Sequence, residues 1–340
     1  MKHTILALAL VGAFGVAQAQ SSVTIYGTLD QGLTKKTDTT LAIGKRDNNK
    51  LGFRGVEDLG NGLKALFQLE IRYETDTGTL ESNTRPLFQG QSRVGLQGDF
   101  GMVRIGRGTT ALMDAVDLFD PWNGLSSTEG FKTDLSVAGY SSDPLSPAGN
   151  SANRFSNAVF YNSPEIAGFQ LNATIGTKEA NGGPAVVGRG TTALPQYGAN
   201  AEASANPYSI SAIYKNGPAT FGLAAERNAV ESKLIALGAA VAASSELKLT
   251  ALYARQDQDH TKLTNAKTKS WVIGGNYVVG AGKILAGYGQ KSPDGVVKTK
   301  EVSLGYEYNI SKRTYLYVDA SNKKAAAAVK YYNVGIHHNF

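Results

Sequence analysis

A set of basic side chains stands where two-residue alternation sets them opposite apolar neighbours. Leu51 and Phe53 share one face of a candidate strand, which puts Lys50, Gly52 and Arg54 on the other. By the same parity Arg93 lies opposite Val94 and Leu96, Arg104 opposite Val103 and Ile105, and Arg154 opposite Val159 and Tyr161. A connection of about 44 residues, 110–153, supplies counter-charges in Asp114, Asp117, Asp120, Glu129 and Asp134, with Lys132 as its basic residue. Arginine keeps its charge at any working pH. Guanidinium groups from neighbouring strands, facing an acidic loop, would set up a transverse field that favours small anions. Arg54, Arg93 and Arg154 are expected to dominate it. The competing role for each is a hydrogen bond to a loop carbonyl or a pair with a loop carboxylate. Arg107, of opposite parity and next to the long connection, reads as a loop anchor.

Chemistry that breaks bonds finds little support. There are 4 His and no Cys. His3 lies in the first few residues, His260 in a polar stretch, and His337 and His338 are adjacent. No set has zinc spacing, and no thiol exists to act as nucleophile. Gly280-Ala-Gly-Lys283 resembles part of a phosphate-binding loop, but Tyr277 stands where the first Gly belongs and Ile284 where Ser or Thr belongs. Asp257-x-Asp259 suggests a calcium loop, yet Lys262 occupies the glycine position. A weak divalent-ion site among loop carboxylates stays open, and no cofactor is expected. The basic residues are dispersed, without a recognition helix or an aromatic-basic motif, so no nucleic-acid partner is expected.

The elements that must position these groups are strands. The clearest is Leu63 to Tyr73, with Leu63, Ala65, Phe67, Leu69, Ile71 and Tyr73 on one face and Lys64, Gln68, Glu70 and Arg72 opposite. The pattern recurs as sixteen strands, from 22–33 to 329–340. Seven brief connections alternate with eight longer ones, which leaves both termini on the short-turn side. A stacked β-sandwich would not sort its loops by parity in this way. Segment 231–243 is the least strand-like, because its alanines and leucines favour a helix. Leu234, Ala236, Gly238, Ala240 and Ala242 can nevertheless form one face of small residues.

Residues 1–19 read as an export signal: Lys2, an apolar run from Ile5 to Val16, and a small-x-small site at Ala17-Gln18-Ala19. Cleavage after Ala19 would leave Gln20 first. No later stretch approaches the ~18 apolar residues of a membrane helix. Strands that are apolar on one face only can hide a membrane barrel at this mean hydropathy of −0.20. The 39 Gly and 16 Tyr suit bent strands and membrane interfaces. The expectation is all-β: a sixteen-stranded antiparallel transmembrane β-barrel over residues 20–340, in the outer membrane of a Gram-negative cell.

The blocks SSVTIYGTLDQGL, KLGFRGVEDLGNGLKALFQLE, SRVGLQGDFGMVRIGR and YNSPEIAGFQLNATIG, with the terminal Phe340, resemble the Gram-negative general porins, most closely their betaproteobacterial and neisserial branch. That resemblance implies a passive channel for small hydrophilic solutes, assembled as a homotrimer among outer-membrane lipid and lipopolysaccharide. It implies an inward-folded third outer loop, 110–153, that narrows the pore. It also makes Phe340 a signal read by the barrel assembly machinery. Small anionic solutes are the expected cargo. The rival within the fold is a channel for organic acids or phosphate with a saturable arginine site. A barrel hydrolase would need a Ser/His constellation, and an adhesin would need larger outer loops than 110–153 and 179–206.

Overall fold

The computed structural model describes residues 21–82, 85–125, 130–132, 134–144, 152–177, 205–257 and 267–340. The proposed cleavage site at Ala19 and Gln20, and Glu129, lie outside them. The strands are β1 (Ser22–Lys36), β2 (Ala42–Gly44), β3 (Lys50–Gly60), β4 (Leu63–Arg72), β5 (Gln91–Gly98), β6 (Gly101–Thr109), β7 (Arg154–Asn162), β8 (Phe169–Gly176) and β9 (Tyr208–Asn216). They continue as β10 (Ala219–Arg227), β11 (Lys233–Ala242), β12 (Leu247–Asp257), β13 (Lys267–Val279), β14 (Gly282–Pro293), β15 (Thr299–Asn309), β16 (Thr314–Lys324) and β17 (Ala328–Asn339). β2, three residues long, pairs only beside β1 in the first long connection. The other sixteen form the barrel, each antiparallel to the next.

Closure is direct. β1 pairs with β17 from Thr28↔Asn339 to Lys36↔Tyr331, and with β3 from Ser22↔Val56 to Thr28↔Lys50. Gly27 and Phe340 exchange both backbone hydrogen bonds, each 3.2 Å. The Phe340 ring fills the space a Cβ on Gly27 would need. Among the described residues, every strand of the sixteen-stranded barrel is paired on both sides, which is how a sheet satisfies its backbone in lipid. The β3–β4 hairpin turns on Asn61 (φ 52°) and Gly62 (φ 77°), a left-handed pair that these two residue types adopt at low cost.

The burial pattern is inverted relative to a water-soluble sheet. Val23, Ile235, Leu237 and Leu304 are more than half exposed, whereas Glu226, Gln256, Ser270 and Glu301 on the opposite parity are buried. The exposed apolar face is continuous around the barrel, so it faces lipid. Aromatics gather towards the short-turn rim, among them Phe100, Tyr161, Phe169, Tyr277, Tyr308 and Phe340. Trp271, Tyr253 and Tyr288 lie towards the long-connection rim, the two-belt placement of interfacial rings.

The alanine-rich segment is strand β11. Ladders to β10 and β12 override its helical propensity. Its small residues serve packing. The apolar core lies inside the barrel, where Leu112, Met113, Val116, Phe119, Trp122, Phe131 and Leu135 meet Ile213, Ala224, Leu234, Ala236, Ala240, Leu252, Val272 and Leu285 of the wall.

Candidate functional site

Helix α1 (Ala111–Val116) opens the long connection. Thr110 caps it by accepting from the Met113 N–H at 3.4 Å, and a 3-10 turn, Asp117–Phe119, follows. Two hydroxyls of the wall hold its start: Thr174 Oγ1 accepts from Ala111 N at 3.1 Å and Ser209 Oγ from Leu112 N at 2.8 Å. Methyl groups on Gly222 or Gly238 would overlap the Phe119 ring, so these two glycines make its socket. Trp122 stacks edge-on against Phe131 at 5.9 Å, and its Nε1 donates to Asp319 Oδ1 at 3.2 Å. Asp134 pairs with Lys291 of β14 and Lys323 of β16. Lys248 of β12 donates to the Leu118 carbonyl at 3.4 Å. Of the segment's large apolar residues Leu112, Met113, Leu118, Phe119, Trp122 and Phe131, only Leu118 is exposed, at 39%.

The wall of β3 to β6 is basic. Arg54 is exposed on the inner face, with its guanidinium 5.3 Å from the Tyr26 ring centre. Tyr26 accepts from Gln68 Nε2 at 2.8 Å and donates to Glu70 Oε2 at 3.3 Å. Arg93 grips Gln68 Oε1 through Nε (3.1 Å) and Nη2 (2.8 Å), and lies 5.6 Å from the Phe160 ring. Arg104 donates to Asn162 Oδ1. Lys50 sits 3.9 Å from Asp47 Oδ2.

Arg154 stands apart. Its Nε donates to the Gly90 carbonyl and its Nη1 to Asn153 Oδ1, both at 2.6 Å. The β6–β7 register shifts between Gly106 and Gly108, and Asn157 takes φ 51°. Phe155 thereby joins Ala158 and Phe160 in one buried cluster, so alternation counted from Val159 does not carry through to Arg154. Arg107 bonds the Gln89 carbonyl at 2.9 Å and Ser156 Oγ at 2.7 Å, tying the β4–β5 connection to β7.

Facing the arginines is Asp114. The enclosing barrel pushes its carboxyl up to about 6, with Asp117 adding to the rise and Arg93, Arg104 and Lys132 opposing it. The side chain itself is exposed to the enclosed space, and water there keeps it mostly ionised at pH 7. Burial likewise raises Asp117, which pairs with Lys132 Nζ at 2.6 Å. Asp120, itself buried, is pushed up to about 7 by desolvation, against the Trp122 N–H it accepts at 3.0 Å. For Asp134 burial acts upward too, but Lys323 and Lys291 outweigh it and hold the carboxyl below its ordinary value.

Alternation did not single out Arg46, from the connection that holds β2. It is fully buried and paired with Glu307 Oε1 (2.8 Å) and Asp319 Oδ2 (3.0 Å), with the Tyr317 ring 4.9 Å away. Burial disfavours its charge, and the two carboxylates outweigh that and raise its pKa. Asp319 therefore binds both Arg46 and Trp122, linking two connections to one strand. A polar connection has no periodicity from which this could be read. Inward Lys283 had a usable signal in the outward Ile284 beside it, whereas Lys291 and Lys323 stand between polar neighbours and had none.

Residues 6–327 match the family described as Gram-negative porin. Outer membrane porin protein 32 of Delftia acidovorans is 33% identical over 346 residues, covering 93% of this chain and 88% of that protein. Among solved structures, the anion-selective porin from Comamonas acidovorans superposes with a TM-score of 0.77 at 23% identity, covering 94% of this chain and 100% of that one. OmpT of Vibrio cholerae, described in a trimer form, gives a TM-score of 0.66 at 15% identity over 94% of this chain and 99% of its own. Matched to that family over most of its length, and closed into a barrel with its apolar face outward, the chain is a Gram-negative porin of the outer membrane.

Proposed function

We propose that this porin is a passive, anion-preferring channel for small hydrophilic solutes, and not an enzyme, with segment 110–153 as its constriction. The carrying observation is the charge arrangement across the lumen. Arg54, Arg93 and Arg104 line one wall, and the segment opposite has Asp117 and Asp134 already paired with lysines. Among the described residues no carboxylate lies within ion-pair distance of Arg54. A permanent positive field in a narrow aqueous space lowers the barrier for anions and raises it for cations. The relative named an anion-selective porin supports this reading. Arg54 and Arg93 carry the selectivity, and Arg154 positions the Gly90 turn beside them.

The chain assembles as a homotrimer, as the trimer form of a solved relative supports. Residues 1–19 direct export, and Phe340 serves assembly.

Reversal potentials across a planar bilayer in a salt gradient test the selectivity. The wild type should favour chloride, and an Arg54→Glu/Arg93→Glu variant should move towards potassium. A wild-type preference for cations would sink the proposal. Saturable block of conductance by phosphate or organic acids would mark the rival, substrate-specific channel.

A further inference from the structure

Glu70 is a carboxylate set among the arginines that carry the selectivity, yet it pairs with neither of them. On the inner face Arg54 of β3, Gln68 of β4 and Arg93 of β5 are cross-strand partners in one row. Glu70 stands two residues along β4 from Gln68, with Gly52 and Gln91 as its own partners. It is therefore diagonal to both guanidiniums, about 7–8 Å away and within reach of a long side chain. A charge-assisted bond to either would be stronger than one to a neutral group. Glu70 instead lies 3.5 Å from Arg72. Among the described residues neither Arg54 nor Arg93 has a carboxylate within ion-pair distance.

The direction of the hydrogen bonds explains what holds the carboxylate aside. Arginine can only donate, and an ionised carboxylate can only accept. Arg93 donates through Nε at 3.1 Å and Nη2 at 2.8 Å, so Gln68 must turn its Oε1 towards Arg93. Its Nε2 is left to donate, and it meets the Tyr26 hydroxyl at 2.8 Å. The Tyr26 proton then falls to Glu70 Oε2, at 3.3 Å. One directed chain runs from Arg93 through Gln68 and Tyr26 to Glu70. The Tyr26 ring gets there by lying over Gly52, its partner on β3, where a methyl group would overlap it. The Glu70 carboxylate in turn occupies the space that a methyl group on Gly90 would need.

We infer that Tyr26 is a positioning residue of the anion filter: its hydroxyl holds Glu70 away from Arg54 and Arg93 and so keeps both guanidiniums unneutralised. It acts through Glu70 and Gln68. Without the hydroxyl, Gln68 Nε2 loses its acceptor and Glu70 loses a donor, and the carboxylate turns to Arg93, its diagonal neighbour. The inference rests on the anion-preferring reading of the lumen.

A double-mutant cycle read by reversal potentials tests it. Tyr26→Phe keeps the ring that faces Arg54 at 5.3 Å and removes only the hydroxyl. In the otherwise wild-type protein it should lower the chloride-to-potassium permeability ratio about twofold or more, because a free positive charge of the lumen is neutralised. In a Glu70→Gln background no carboxylate is left to turn, and the same change should leave the ratio where it was. Gly90→Ala evicts the Glu70 carboxylate by contact. It should lower the ratio when Glu70 is present and have no effect in the Glu70→Gln background. A merely structural role for Tyr26 would reduce the heat resistance of the barrel equally in both backgrounds and leave the ratio unmoved. An unchanged ratio in Tyr26→Phe, or an equal loss in both backgrounds, would overturn the inference. If Tyr26→Phe failed to assemble, the Gly90→Ala pair would decide by the same comparison. A cation-preferring wild type would sink the reading of the lumen, whereas the role of Tyr26 is decided by the difference between backgrounds, whichever ion the wild type prefers.

Discussion

Asp114 sets a titratable group in the lumen opposite permanent charges, and Asp120 is a second raised carboxyl, buried within the segment. Their carboxyls are raised, to about 6 and about 7, so the folded protein holds protons there that an unfolded chain would release. The stability this contributes is fully present below about pH 4 and is lost as pH rises through 6 to 7. Asp134 runs the other way: its carboxyl is lowered, so its contribution is present above the ordinary aspartate range and lost as pH falls through the lowered value. The effect on permeation follows from charge. Protonating Asp114 removes a negative group beside Arg93 and Arg104 while the arginines stay charged. Anion preference should therefore increase as pH falls from 8 to 5. Asp114→Asn should be more selective at pH 8 and lose most of that dependence. Reversal potentials measured across the range check both.

Among the contacts that hold segment 111–140 are one aromatic socket, one indole hydrogen bond and one doubly paired carboxylate. Each can be removed separately. Gly238→Val places a branched side chain where Phe119 sits and should cost about 1–3 kcal/mol of packing. Trp122→Phe removes the bond to Asp319 and should cost about 1 kcal/mol, with Asp319 still paired to Arg46. The barrel ladder is unaffected in both, so the loss should appear locally. Faster amide exchange in 111–140 and noisier open-channel current are expected, with unchanged heat resistance of the barrel. Unchanged exchange in both variants would show that the segment is held by something else.

The whole molecule depends on the β1–β17 seam. Because Gly27 and Phe340 exchange both backbone bonds, alternation makes Thr28 and Asn339 a non-hydrogen-bonded pair, the geometry in which side chains come closest. Their side chains already meet, with Thr28 Oγ1 2.9 Å from Asn339 Oδ1. The chain has no cysteine to interfere. A Thr28→Cys/Asn339→Cys protein should form an intramolecular disulfide readily, visible as a reducible shift in gel mobility. A Thr28→Cys/His337→Cys protein, two residues out of register, should not. Equal crosslinking of both would mean that the closing register slips.

Alternation in the sequence by itself determined the barrel. Side chains with period two and sorted connections leave few ways to satisfy the backbone in lipid. The same alternation fixed Arg54, Arg93 and Arg104 on the inner face, since parity is a local property of a strand. It could not carry past Gly106–Gly108, where one inserted residue resets the count. There only the tertiary structure decided that Arg154 serves a backbone carbonyl. Nor could it place Arg46 or the Asp134 lysines, because those partners are far apart in the chain and meet only once the sheet has closed.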